Sequence, residues 1–124
     1  MVPSENRRGT AGYYSEINAM TAKSRKQLIE DMLADDPKDP FLRYGLAMEC
    51  VSEGDDLQAA RCFRQLLDLS PDYVPAYLQA GQVLTRLQKP DEAREVFGTG
   101  IRVAQRLGDS HAAGEMEGFL EGLG

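Results

Sequence analysis

The sequence predicts an all-α fold, a solenoid of antiparallel helical hairpins, and three observations predict it. Residues recur at an interval of 34, with Pro37 answered by Pro71, Ala59 by Ala93 and Phe63 by Phe97. Side-chain sizes recur in step, since Ala47 is answered by Gly81, Tyr44 by Leu78, Cys50 by Leu84, Cys62 by Val96 and Leu67 by Ile101. Between these markers the apolar residues fall three or four apart, the spacing of one helical face, with Pro and Gly where one helix must stop and the next begin. A unit repeated at a fixed interval of this size is one supersecondary element that stacks on its copies.

Each element follows from its residues. Positions 1–13 hold Pro3, Gly9, Gly12 and mostly polar neighbours, a composition of a flexible lead. A capping helix is expected over 14–35, with Ile17, Met20, Leu28, Met32 and Leu33 on one face and a stop before Pro37. The first hairpin occupies 37–70. It opens at Asp39, whose carboxylate can accept from free N–H groups, with Pro40 preset for the first helical position. Phe41, Tyr44, Ala47, Met48 and Val51 carry its first helix to Gly54, and Ala59, Cys62, Phe63, Leu66 and Leu67 carry its second.

The second hairpin, 71–107, repeats the plan with Tyr77, Leu78, Gly81 and Leu84, then Ala93, Val96, Phe97 and Ile101. Gly98 and Gly100 weaken its second helix by about 1 kcal/mol each relative to Ala, but the interval puts Gly100 at a crossing where a small residue permits close approach. A C-terminal capping helix is expected over 109–123, after Gly108, with Ala112, Met116, Phe119, Leu120 and Leu123 as its apolar positions.

Composition bounds the function. At 124 residues, 42% hydrophobic and 27% charged, the chain is long enough for a single small domain with a continuous core. The net charge is −6, and it is uneven: residues 1–26 carry five basic and two acidic side chains, which leaves an acidic body. Such a body repels phosphate backbones and anionic headgroups, and no Trp offers a stacking surface, so neither nucleic acid nor a membrane is the expected partner. The start has no apolar run after its charges, which makes the cytoplasm the expected location. Cys50 and Cys62, the only two cysteines, stand where the repeat partners are apolar, so they are expected as reduced, buried thiols.

Chemistry is absent from the pattern, and no enzyme is expected. His111 is the only histidine, which leaves no triad, and the Gly98-Thr99-Gly100 run lacks the Gly-Lys-Ser/Thr of a phosphate loop. The paired acids Asp35-Asp36 and Asp55-Asp56 lie at helix boundaries, where capping explains them. No metal and no cofactor are expected.

Two antiparallel helices approach closely only where a small side chain faces a large one. Tyr77, Ala80, Gly81, Leu84, Ala93, Phe97 and Gly100 in the second unit, and Leu46, Ala47, Ala59, Phe63, Leu66 and Pro71 in the first, meet that need at the places of one known pattern. The chain resembles the tetratricopeptide repeat family. It departs from that pattern at Arg43, where an aromatic is usual, at Cys50 and Leu84, where Tyr is usual, and at Gln105, where a proline would stand.

The resemblance implies a right-handed superhelix of two full repeats plus flanking caps, and a scaffold that holds a partner protein or peptide in its concave groove. Carried over by position, the groove residues are Phe41, Tyr44 and Met48 from the first hairpin, Leu78, Gln82, Thr85 and Arg86 from the second, and Met116 with Ala112 from the closing helix. That surface suits an apolar or amphipathic segment. The alternative is a self-associating protein that forms homo-oligomers through the groove or the solenoid ends.

Family members that grip the carboxylate end of a heat-shock partner use Lys and Asn in the groove, whereas the matching places here hold Tyr44, Met48 and Gln79. Without a cation, that carboxylate would be desolvated unpaired. A titration with a peptide ending in such an acidic tail should therefore show no binding; micromolar affinity would contradict the reading.

Overall fold

A computed structural model of the chain describes residues 23–124. They form α1 Arg25–Asp35, α2 Pro40–Ser52, α3 Asp56–Leu69, α4 Val74–Arg86, α5 Pro90–Arg106 and α6 Ser110–Gly122, with no strand among the described residues. Each helix packs on the next, and α4 also meets α6. The helices form a solenoid in which α2 pairs with α3 and α4 with α5.

The lead expected over 1–13 and the opening of the helix expected over 14–35 lie outside the described residues. Within them, that helix begins at Arg25 instead of running through unbroken. Ser24 is the reason: its Oγ accepts from the Gln27 backbone N–H at 3.1 Å, and the Gln27 side chain accepts from the Ser24 N–H at 3.2 Å. This reciprocal capping box satisfies two donors that a continuous helix would have used internally.

Caps and turns recur with the repeat. Asp39 accepts from the N–H groups of Phe41 and Leu42, Asp55 from that of Gln58, and Asp109 from that of Ala112. α4 and α5 lack a side-chain cap and instead carry Pro75 and Pro90 in their first turns, where the missing N–H costs little. The turn inside the first hairpin passes through Gly54 at φ 78°, and 34 residues later the same turn passes through Gln88 at φ 63°. A left-handed conformation that glycine adopts freely costs a residue such as Gln88 about 1–2 kcal/mol, so here the hairpin overrides the local preference.

Two packed clusters form the core. Phe63 is fully buried in one with Ala47, Cys50, Ala59 and Leu66; Phe97 is fully buried in the other with Tyr77, Ala93, Ala104 and Met116. Glycine is required where helices cross. A Cβ on Gly81 would stand 2.3 Å from the Phe97 ring, and one on Gly100 would stand 2.5 Å from Tyr77 Cβ and 2.6 Å from Met116 Sδ. Tyr77 is fixed at that crossing by its hydroxyl, which donates to the Pro71 carbonyl at 2.7 Å. Both cysteines are buried free thiols, and burial, with Cys62 beside it, pushes the Cys50 thiol up to about 11.

The interval does not extend to the last helix. α2 and α4 start 34 residues apart, as do α3 and α5, but 36 residues separate the starts of α4 and α6. α5 is 17 residues long against 14 for α3. α3 stops at Ser70 ahead of Pro71; Gln105 stands at the equivalent place in α5 and can donate to a helical carbonyl, so that helix runs on until Gly108 at φ 79°.

Two glycines in one turn of α5 separate helix propensity from packing. Gly98 has nothing closer to an added Cβ than an Arg102 nitrogen at 3.7 Å, so Gly98→Ala should stabilise by about 0.5–1 kcal/mol. Gly100→Ala gains the same propensity but overpacks against Tyr77 and Met116, which costs about 1–3 kcal/mol. Thermal melts should move in opposite directions, and a gain in both variants would contradict this crossing.

Candidate partner-binding groove

The candidate groove draws on one face each of α2 and α4. Phe41, Tyr44 and Met48 are spaced along α2 to share one face, and Leu78, Gln82 and Thr85 are spaced along α4 in the same way. The interval pairs Tyr44 with Leu78 and Met48 with Gln82.

Exposure sorts these residues. Phe41 is the most exposed large apolar side chain of the described residues at 73%, a cost in water that partner burial would remove. Tyr44 is half-buried, its ring tilted against Phe63 at 6.1 Å and Tyr73 at 5.4 Å between centroids, so it presents an edge and a hydroxyl from a fixed position. Burial also raises the pKa of that hydroxyl, which keeps it a neutral donor. Met48 and Leu78 are half-buried over the two core clusters.

The polar end of the groove is ordered by its own helices. The Thr85 hydroxyl donates to the Gly81 carbonyl at 2.8 Å. Arg86 makes a two-point contact with Asp56, Nε to Oδ2 at 3.0 Å and a terminal nitrogen to Oδ1 at 2.9 Å, which ties the end of α4 to the start of α3. These hydrogen bonds hold the Asp56 carboxyl below the usual carboxylate range and raise Arg86. The pair retains 47% and 22% exposure at Arg86 and Asp56, so the guanidinium keeps free donors toward the groove while its position is set.

Met116 is a correction to the sequence reading. It has no exposed surface and packs beneath Gly100 in the second cluster, so it belongs to the core and not to the groove. Its assignment came from carrying the interval of 34 forward, which aligns it with Gln82; the observed offset of 36 aligns it with Ala80, a core position. The half-buried Ala112 packs against the same cluster.

Residues missed by position take its place. Phe119 and Leu123 of the closing segment, with Gly118 and Gly122, face Gln82, Thr85 and Arg86 across a cavity of about 350 Å³. Phe119 stacks on Phe97, with centroids 5.8 Å apart and planes 7° apart, yet remains 44% exposed. The signal that would have found it is the missing proline at Gln105. No group of three or more potential metal ligands occurs among the described residues, and no described helix is long and apolar enough to cross a membrane.

Known proteins match this architecture. A tetratricopeptide repeat family model matches residues 74–107, which is the second hairpin. The solution structure of a tetratricopeptide repeat domain protein from Salinibacter ruber is similar with a TM-score of 0.66 and 32% identity, over 70% of this chain and 88% of that one. The chain belongs to the tetratricopeptide repeat family. A protein from Bordetella parapertussis is similar at 27% identity and a TM-score of 0.72, over 82% of this chain and 88% of that one. PcrH, solved in complex with the chaperone binding region of PopD, shares the fold at 15% identity and a TM-score of 0.76, over 99% of this chain and 93% of that one. No curated protein matches the sequence.

Proposed function

We propose that the chain is a non-enzymatic scaffold that holds an apolar or amphipathic segment of another protein in the groove formed by Phe41, Tyr44, Met48, Leu78, Gln82, Thr85 and Arg86. The observation that carries this reading is the exposed Phe41 ring on the same face as Tyr44 and Met48, in a helical-repeat fold. An isolated, exposed aromatic over a rigid apolar floor is the arrangement of a binding hot spot. The fold neighbour solved with a segment of PopD supports the reading in kind, since there the same architecture is in complex with a segment of another protein.

The chemistry of the partner follows from the walls. Phe41, Tyr44, Met48 and Leu78 take apolar side chains, while Gln82, Thr85 and the tethered Arg86 orient polar groups at one end. The closing segment carries Asp109, Glu115, Glu117 and Glu121 without a lysine or arginine, so the partner's charges beside it are basic. Recognition here is positioning of a segment and requires no bond to be made or broken. Buried free thiols at Cys50 and Cys62 are compatible with a reducing compartment, and the proposed location is the cytoplasm.

Pull-down of partners by the wild-type chain, compared with a Phe41→Glu, Gln82→Glu variant and a Gln105→Glu control, tests this. The substituted groove positions are exposed or half-buried, so helicity by circular dichroism should survive. Partners bound through the groove should be lost by the double variant and kept by the control. Retention of the same set by the double variant would contradict the assignment.

A further inference from the structure

A second concavity lies between α3 and α5, with α4 as its floor. It has a volume of about 580 Å³. Leu57, Ala60 and Leu67 of α3, Leu84 of α4 and Val96 of α5 give it an apolar bed, and Leu57 is 49% exposed. Its walls differ in net charge: α3 contributes Arg61 and Arg64 with Asp68 at the far end, and the α5 side contributes Glu92 and Glu95 with Lys89 just before the helix. The lining runs from 57 to 68 on α3 and from 89 to 99 on α5, a trough of about 16 Å at 1.5 Å per residue.

One exposed element of the same chain has the complementary form. α1 is 11 residues long, about 16 Å, and shows Leu28 at 45% and Met32 at 52% exposure, one turn apart on one face. Their equivalents one interval later, Cys62 and Leu66, are 5% and 0% exposed, so α1 leaves open a face that the inner hairpin covers. At 100° per residue, Asp31 and Asp35 flank this stripe on one side and Arg25 flanks it on the other.

We propose that α1 of one copy docks into the α3–α5 trough of a second copy. Leu28 and Met32 enter the bed, Asp31 and Asp35 face Arg61 and Arg64, and Arg25 faces Glu92 and Glu95. The present partners of these charges are exposed or, for Glu49, half-buried: Asp31 with Lys23, Arg25 with Glu49 at 3.2 Å, and Arg64 with Glu92 at 3.6 Å across the trough. Pairs of this kind contribute about 0–1 kcal/mol, so exchanging them for contacts between copies costs little. The contact joins two different patches, so it either closes reciprocally as a two-fold pair or propagates along a chain of copies. It leaves the groove on α2 and α4 free and stands independently of the partner assigned there.

A helix of this length buries well under the ~1,600 Å² of a standard interface, so the association is weak and concentration-dependent. Sedimentation equilibrium on the full chain from about 10 μM to about 1 mM should show the mean mass rising above 13.7 kDa. Met32→Glu and Leu57→Glu, both at exposed positions, should each abolish the rise alone, because one lacks the docking stripe and the other the trough. Mixed one to one they should associate again, since each supplies the patch the other has lost. A full chain that stays monomeric at the upper concentration overturns the proposal, as it would if residues 1–22 of the same chain cover Leu28 and Met32. So does a rise in mass that survives in either single variant, or a mixture that fails to associate.

Discussion

The ring of Phe97 lies where a side chain on Gly81 would be, and this contact sets the spacing of the second hairpin. An added Cβ would come within 2.3 Å of the ring, so the helices stand as close as a backbone and an aromatic face permit. Phe63 occupies the equivalent place in the first hairpin, fully buried in the cluster that holds Ala47. Because the large residue is on the second helix and the small one on the first, each hairpin closes on itself and still presents an apolar flank to the next. The stacking of one hairpin on the next follows from that asymmetry.

The groove inherits its rigidity from the core. Tyr44 rests on Phe63 and Phe119 on Phe97, so the two phenylalanines that hold the hairpins also support aromatic rings near the proposed binding surface. Arg86 is positioned by Asp56 from the neighbouring helix, so one polar group of the groove is set by the packing of α4 on α3. A partner that meets preordered side chains forfeits less conformational entropy on binding than one that must order them.

Much of this was legible in the sequence because the constraint is local and repeated. The interval located four helices, the Asp39 cap, the turn at Gly54 and the small residues at Gly81 and Gly100. What was not legible lay where the repeat stops constraining the chain. Gln105 replaces the proline that would end α5, the helix lengthens, and the offset of 36 carries Met116 into the core and Phe119 beside the groove. The Ser24–Gln27 box, a local signal, starts α1 later than apolar spacing alone suggests, because spacing reports a face and not a terminus. Gln88 at positive φ and the pairing of Arg86 with Asp56 are tertiary outcomes, and neither has a signature in residue type.

The Gly81–Phe97 contact is a steric coupling between two helices, and a double-mutant cycle in chemical denaturation measures it directly. Gly81→Ala alone should be destabilising because of the ring, and much less so in a Phe97→Leu background, where the smaller side chain can yield. The predicted interaction energy is favourable to the double variant and of about 1–3 kcal/mol. Additive effects of the two substitutions would mean that the ring does not fill the place of the missing side chain, and would contradict the packing on which the fold and its groove are built.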